Sequence, residues 1–236
     1  MRIGRYRFAP RLVPTLAAAC FIALTGYLSR WQAHRAEEKE QRQALYEARM
    51  ARPPLEVDGP VGSAGDVLFR RVHATGTWIG SKQVFVDNQV IESRGAGFDV
   101  VTPLRIAGSG AVVLVNRGWI ARTPSYPRPP DVAVPAGKVE VSGLAVLPPA
   151  RFVELSSHPI TGSVFQNLTL ERFRQWSALP VLPFEILADP PGPGLAAVTE
   201  RPDAGAEQNR QYEATWFLLA GTAAALWIGL NLRRTG

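Results

Sequence analysis

Four groups of side chains in this chain have the types and spacing to do chemistry. Asn116-Arg117-Gly118-Trp119 is the densest. An arginine can grip a carboxylate through two parallel N–H donors. Trp119 adds a broad apolar face, and Gly118 suggests a β-bulge that re-aims Arg117 and Trp119. A strand-end turn with a packed tryptophan is the plainer alternative. Trp31-Gln32 with Arg35 and Lys39 is the second group; Arg35 falls on the helical face of Trp31. Tyr212, Thr215 and Trp216 form the third. For both of these the alternative is a belt of aromatic and cationic residues at a membrane interface. Gln166-Asn167, just before Thr169, is the fourth and reads as the geometry of a helix start.

Enzymatic constellations do not emerge. The three histidines, His34, His73 and His158, show no H-x-x-x-H spacing. Neither a G-x-S-x-G elbow nor a G-x-x-x-x-G-K-[ST] phosphate loop occurs. Cys20 is the single cysteine, which rules out an internal disulfide and a CxxC site. Gly95-Ala96-Gly97 and Gly108-Ser109-Gly110 read as turns between strands. Asp87 and Asp99 read as solvated surface carboxylates. Catalysis needs several convergent groups, so the expectation is a protein that is not an enzyme.

The elements that must position these groups begin with two uncharged apolar runs, 12–28 and 214–232. A bilayer core takes about 20 such residues as a helix. Arg2, Arg5, Arg7, Arg11, Arg233 and Arg234 lie outside them. Removing these six from 26 basic residues leaves 20 against 20 acidic ones, so the net charge of +6 belongs to the tails. No basic domain remains for nucleic acid, and membrane lipid is the expected surroundings. Arginine-flanked ends stay cytoplasmic. The division expected is a tail at 1–11, a span at 12–29, a helical stalk at 30–52, a β-rich exported domain at 53–188, a linker at 189–212, a second span at 213–232 and a tail at 233–236. On the stalk, Glu38 and Arg42 are spaced to pair.

Strands are expected at 67–79, 83–91, 98–104, 111–120, 138–147, 152–155, 163–168 and 181–187, split by turn residues. Pro103 and Pro183 fall near strand ends. One helix interrupts them, capped by Thr169 and stopped by Pro180, with Leu170, Phe173 and Trp176 or Ser177 on one face. The fold class is therefore an α+β membrane protein. Two transmembrane helices flank one β-rich exported domain, barrel- or sandwich-like, with a short helix.

In this order the pieces resemble the Surfeit locus protein 1 family. They are Leu28-Ser29-Arg30-Trp31-Gln32 with Arg35 and Lys39, Phe69-Arg70-Arg71-Val72 with Gly76, and Gly97 through Val101-Thr102-Pro103-Leu104. Val113-Leu114-Val115-Asn116-Arg117-Gly118-Trp119, Gln166-Asn167-Leu168 and Leu179-Pro180-Val181-Leu182-Pro183 follow, then Tyr212 with Thr215-Trp216-Phe217. The resemblance implies an assembly factor for haem–copper cytochrome c oxidase. Haem a would be its cofactor, the oxidase's large catalytic subunit its partner, and haem a synthase a further candidate. The implied location is a bacterial cytoplasmic (inner) membrane, with both termini cytoplasmic and the central domain periplasmic. A cofactor-free scaffold of the same assembly line is the alternative.

The resemblance also implies cofactor-binding residues: Trp31, Gln32, His34, Arg35, Arg117, Trp119, Asn209, Tyr212 and Trp216. The arginines, Arg210 among them, would meet haem propionates. Where relatives read His-Leu-x-Tyr, this chain reads Asn209-Arg210-Gln211-Tyr212. The position of the family's suggested haem ligand thus carries an amide, a poor iron ligand beside imidazole. His34 is one candidate substitute, and a solvated stalk histidine is the plainer reading of it.

Overall fold

The computed structural model describes residues 2–3, 6–91, 94–148, 159–199 and 205–234. In chain order it opens with β1 (Arg2–Ile3), β2 (Tyr6–Phe8) and the long helix α1 (Leu12–Met50). Next come β3 (Leu55–Glu56), the short α2 (Ala64–Val67), β4 (Arg71–Trp78), β5 (Val84–Ile91), β6 (Gly95–Ile106), β7 (Val112–Ala121) and β8 (Lys138–Val146). The chain then forms β9 (Ile160–Thr161), β10 (Val164–Phe165), α3 (Leu170–Ser177), β11 (Val181–Ala188), α4 (Ala206–Asn231) and β12 (Leu232–Arg234). Two units divide it: Met1–Leu45 with Arg201–Gly236, and Tyr46–Glu200.

The first unit is a helical hairpin. Both α1 and α4 are long and apolar enough to cross a membrane. On α1, the shielded positions Thr15, Ala18, Ile22, Thr25, Ser29, Gln32, Ala36 and Lys39 are spaced alternately by three and four. Ala206, Asn209, Glu213, Trp216, Ala220, Ala223 and Trp227 repeat that spacing on α4. Such a period lays a narrow seam between two helices crossing at a shallow angle. Small residues along it bring the backbones close enough for polar bonds. Ser29 Oγ donates to the Glu213 carbonyl at 3.0 Å, and Trp227 Nε1 to Thr15 Oγ1 at 3.1 Å. Beyond the apolar runs, β2 pairs antiparallel with both β1 and β12, so backbone hydrogen bonds tie the two tails together. Composition alone gave no sign of this ribbon.

The second unit is built on a sheet that closes. β4 pairs with β8, β8 with β11, β11 with β7, β7 with β6, and β6 returns to β4. Of the barrel and sandwich left open above, this is a five-stranded barrel. Inside lie alternate residues of each strand, including Val72 and Ala74, Leu104 and Ile106, Val113 and Val115, Phe184 and Ile186. The opposite face of β7, Val112 and Leu114, packs with Val84, Val101 and Phe165 under Phe173 of α3. The first part of β7, Val112 to Val115, is apolar throughout because both its faces are covered. β5 extends the barrel wall by pairing with the first half of β6, and β10 and β9 continue outward from it.

The prolines sit where the ladder changes partner. β6 faces β5 as far as Val101 and β4 from Leu104 onward, with Pro103 at the exchange. Pro183 sits in the register shift of β11 against β7. Thr169 caps α3, accepting from the Arg172 N–H at 3.1 Å, and Ala178 ends it in the left-handed region. Phe173 and Ser177 are buried, with Leu170 and Trp176 packed against the same core.

Several expectations need correction. Residue 67 ends a helical turn, not a strand, and β4 begins only at Arg71. Of 163–168, only Val164–Phe165 is strand. Gly95-Ala96-Gly97 lies within β6 rather than in a turn; Gly97 is there because Trp119 of β7 lies over it, where a Cβ would meet the indole at 2.3 Å. Helix α4 starts at Ala206, ahead of the apolar run, so the end of the linker is helical. The expected strand at 152–155 and His158 lie outside the described residues. Gly108-Ser109-Gly110 is the turn expected, with both glycines at positive φ.

Candidate functional site

On the hairpin, the seam gathers some of the expected residues and separates others. Asn209, in the first turn of α4, faces α1. Its Nδ2 donates to Gln32 Oε1, and its Oδ1 accepts from Lys39 Nζ at 2.7 Å. Lys39 Nζ also donates to the Gly205 carbonyl at 3.2 Å. Next to this clamp, Arg210 makes a forked bond to Glu40 at 2.8 and 2.9 Å and a further bond to Glu213 at 3.0 Å. That hydrogen bonding holds the Glu40 carboxyl below its ordinary value and Arg210 above its own. Trp31, Arg35 and Tyr212 are exposed on the flanks, and Trp216 is half-buried.

His34 does not join Asn209. It sits two residues beyond Gln32, which turns it roughly 200° around the helix axis. Its side chain is 70% exposed, with Nε2 3.4 Å from Glu38. His73, the other described histidine, bonds Ser142 Oγ through Nδ1 at 2.7 Å, within the barrel unit. Iron of a haem needs an axial imidazole, thiolate, thioether or phenolate. Asn209 is an amide with both ends engaged, and no described histidine faces it. The residues of the seam do not fit an iron ligand set.

In the barrel unit, Arg117 and Trp119 are aimed apart by a bulge in β7. Asp99 of β6 pairs with Trp119 and Val101 with Asn116, so two β7 residues oppose one on β6. Gly118 takes φ 133, and Asn116 Oδ1 accepts its N–H at 3.0 Å. A side chain at Gly118 would strike the Ala196 carbonyl at 2.7 Å. Segment 192–196 lies close because Gly192 N–H donates to the Arg117 carbonyl at 2.7 Å and Ala196 exchanges both backbone bonds with Trp119. Trp119 turns to Gly97, its Nε1 donating to the Gln89 carbonyl at 3.0 Å. Arg117, 3% exposed, turns the other way, to Gln83 Oε1 and the Ala133 carbonyl, both at 2.9 Å. Its guanidinium stands 5.5 Å from the Trp78 ring.

The two carboxylates assigned to solvent are shielded. Asp87 is 7% exposed and accepts from Arg122 at 2.7 Å, Tyr126 at 3.0 Å and the Asn88 N–H at 2.8 Å. The bond to Asp87 pushes the Tyr126 hydroxyl up. Asp99 lines a cavity of about 100 Å³ with Gln89, Asn116, Asn167 and Glu185. Burial pushes its carboxyl up to about 6, against the opposing bond from Asn116 at 3.1 Å. Asn116 and Asn167, from two separate sequence groups, thus meet in one polar cavity. Sequence reasoning missed Trp78, Gln83 and Gln89 here, because they reach Arg117 and Trp119 through side-chain and backbone contacts between distant segments.

Comparison with known proteins defines the class of this molecule: residues 19–221 match the model of the SURF1 family. The chain belongs to that family. Among similar proteins, a SURF1-like protein of Monosiga brevicollis is 26% identical over 89% of this chain and 83% of its own length. Surfeit locus protein 1 of Rattus norvegicus is 25% identical over 91% of this chain and 75% of its own. The Homo sapiens protein of the same name is 25% identical over 88% and 74%.

Proposed function

We propose that this chain is a non-enzymatic assembly factor for haem–copper cytochrome c oxidase. It acts beside the large catalytic subunit while haem a is inserted, without coordinating the iron itself. The location that goes with this reading is a bacterial cytoplasmic membrane, with the tails in the cytoplasm and the barrel unit in the periplasm. Family membership supports the assembly role. What favours a scaffold over a haem carrier is the Gln32–Asn209–Lys39 clamp, in which the residue at the family's suggested ligand position holds two helices together. Each bond to a charged partner of this kind contributes about 1.5–3 kcal/mol where it is shielded.

Purification of the full chain from membranes that make haem a tests this reading. The expected result is co-purification of the oxidase catalytic subunit, with no Soret feature of an imidazole-ligated haem on the free protein. In Asn209→His, such a feature is expected to appear when haem a is added. A wild-type protein carrying a ligated haem whose Soret band changes in His34→Ala would contradict it.

A further inference from the structure

Among the described residues, Arg117 is a buried cation without a counter-ion. Its bonds run to a neutral amide, Gln83, and a neutral carbonyl, Ala133, and its guanidinium lies near the Trp78 ring. Buried charges are ordinarily paired. Burial accordingly pulls the Arg117 guanidinium below its ordinary value. Among the described residues no carboxylate bonds it. Glu140 and Asp131 line the adjoining cavities, but both are exposed on the surface.

Two cavities meet at this guanidinium. One, of about 220 Å³, is lined by Trp78, Pro135, Val139, Pro190 and Pro193. The other, of about 300 Å³, is lined by Ile120, Val132, Val134 and Leu195. Gly192 lies against this edge: a Cβ there would stand 3.5 Å from both Nε and an Nη of Arg117, in ordinary contact, and a larger side chain would reach over them. Mostly apolar walls, with Glu140, Ser142 and Asp131 among the lining, around one oriented cation are the composition of a small-molecule site.

We infer that this cleft binds a small organic acid: a carboxylate on a flat apolar body, its oxygens on the free edge of the Arg117 guanidinium and its body between Trp78 and the prolines. The inference does not depend on the oxidase role. A planar guanidinium suits this ligand because it presents parallel donors to both carboxylate oxygens.

Photo-labelling of the full chain in nanodiscs tests it, using a diazirine-substituted benzoic acid and its primary amide. The acid is expected to label the peptides around Trp78, Pro135 and Pro193 at least about tenfold more than the amide, the discrimination one charge-assisted bond gives. Arg117→Gln should bring acid labelling down to the amide level. Gly192→Val should do the same with Arg117 intact. Should Arg117→Gln fail to fold, the wild-type ratio of acid to amide still decides. Equal labelling by acid and amide, or none in the cleft, would overturn the inference. So would displacement by a peptide ending in a free carboxylate but not by unlabelled benzoate, which would assign the cleft to a protein partner.

Discussion

Gly97→Ala is expected to lower the thermal midpoint of the full chain by about 10 °C, as followed by tryptophan fluorescence. A Cβ at Gly97 would lie 2.3 Å from both the Trp119 indole and the Ile120 carbonyl. The carbonyl belongs to the β6–β7 ladder and cannot yield without breaking register. The indole must therefore move, and it is pinned. Its Nε1 donates to Gln89, and its backbone bonds Ala196 on both sides. Overpacking of this kind costs about 3 kcal/mol, the upper part of the usual range. For a domain of this size each kcal/mol corresponds to about 2–4 °C. The same move would loosen the segment that closes over the Arg117 bulge. A midpoint within about 2 °C of wild type would show that Trp119 does not hold this corner.

Asp99→Asn is expected to stabilise the protein at pH 7.5, by up to about 3 kcal/mol, and the gain is expected to vanish near pH 4. Burial raises the folded-state carboxyl from 3.8 to about 6. Between those values the folded protein holds a proton that the unfolded chain has released. The unfolded state binds fewer protons there, so stability falls as pH rises from about 4 to 6 and levels off above. The gap between 3.8 and about 6 corresponds to about 3 kcal/mol at full ionisation. Asparagine keeps an acceptor for Asn116 Nδ2 and carries no charge to desolvate. The difference between variant and wild-type denaturation midpoints, measured from pH 4 to 8, checks this. A gap that stays constant across pH, or a variant less stable at pH 7.5, would contradict it.

Both predictions concern features whose meaning only the fold reveals. Hydropathy located both helices that are long and apolar enough to cross a membrane, because each carries an uncharged run of that length. Turn residues and alternation located most of the strands, and Thr169 with Pro180 framed α3. Gly118 declared the bulge, since glycine beside a tryptophan in an apolar strand is otherwise costly. What stayed hidden depends on distant pairing. Gly97 reads as a turn until Trp119 is known to cover it. Asp99 reads as solvated until Asn116 and Asn167 close around it. By sequence His34 is a candidate substitute for the family's histidine, but helical phase places His34 away from the seam and gives Asn209 to Gln32 and Lys39. The closing β4–β6 pairing rests on a few residues at the end of a long strand, with no local signal.

We propose that this chain helps build an oxidase without ligating its haem, and one measurement addresses both parts. Membranes of a strain lacking the gene, complemented with wild type, Asn209→Ala or an empty vector, would be assayed for the oxidase haem a spectrum and for total extractable haem a. The account predicts that the vector strain loses most of the assembled oxidase signal while haem a is still made. It also predicts that Asn209→Ala restores a substantial part of that signal, because the side chain clamps helices and holds no iron. Full oxidase signal in the vector strain would contradict the account.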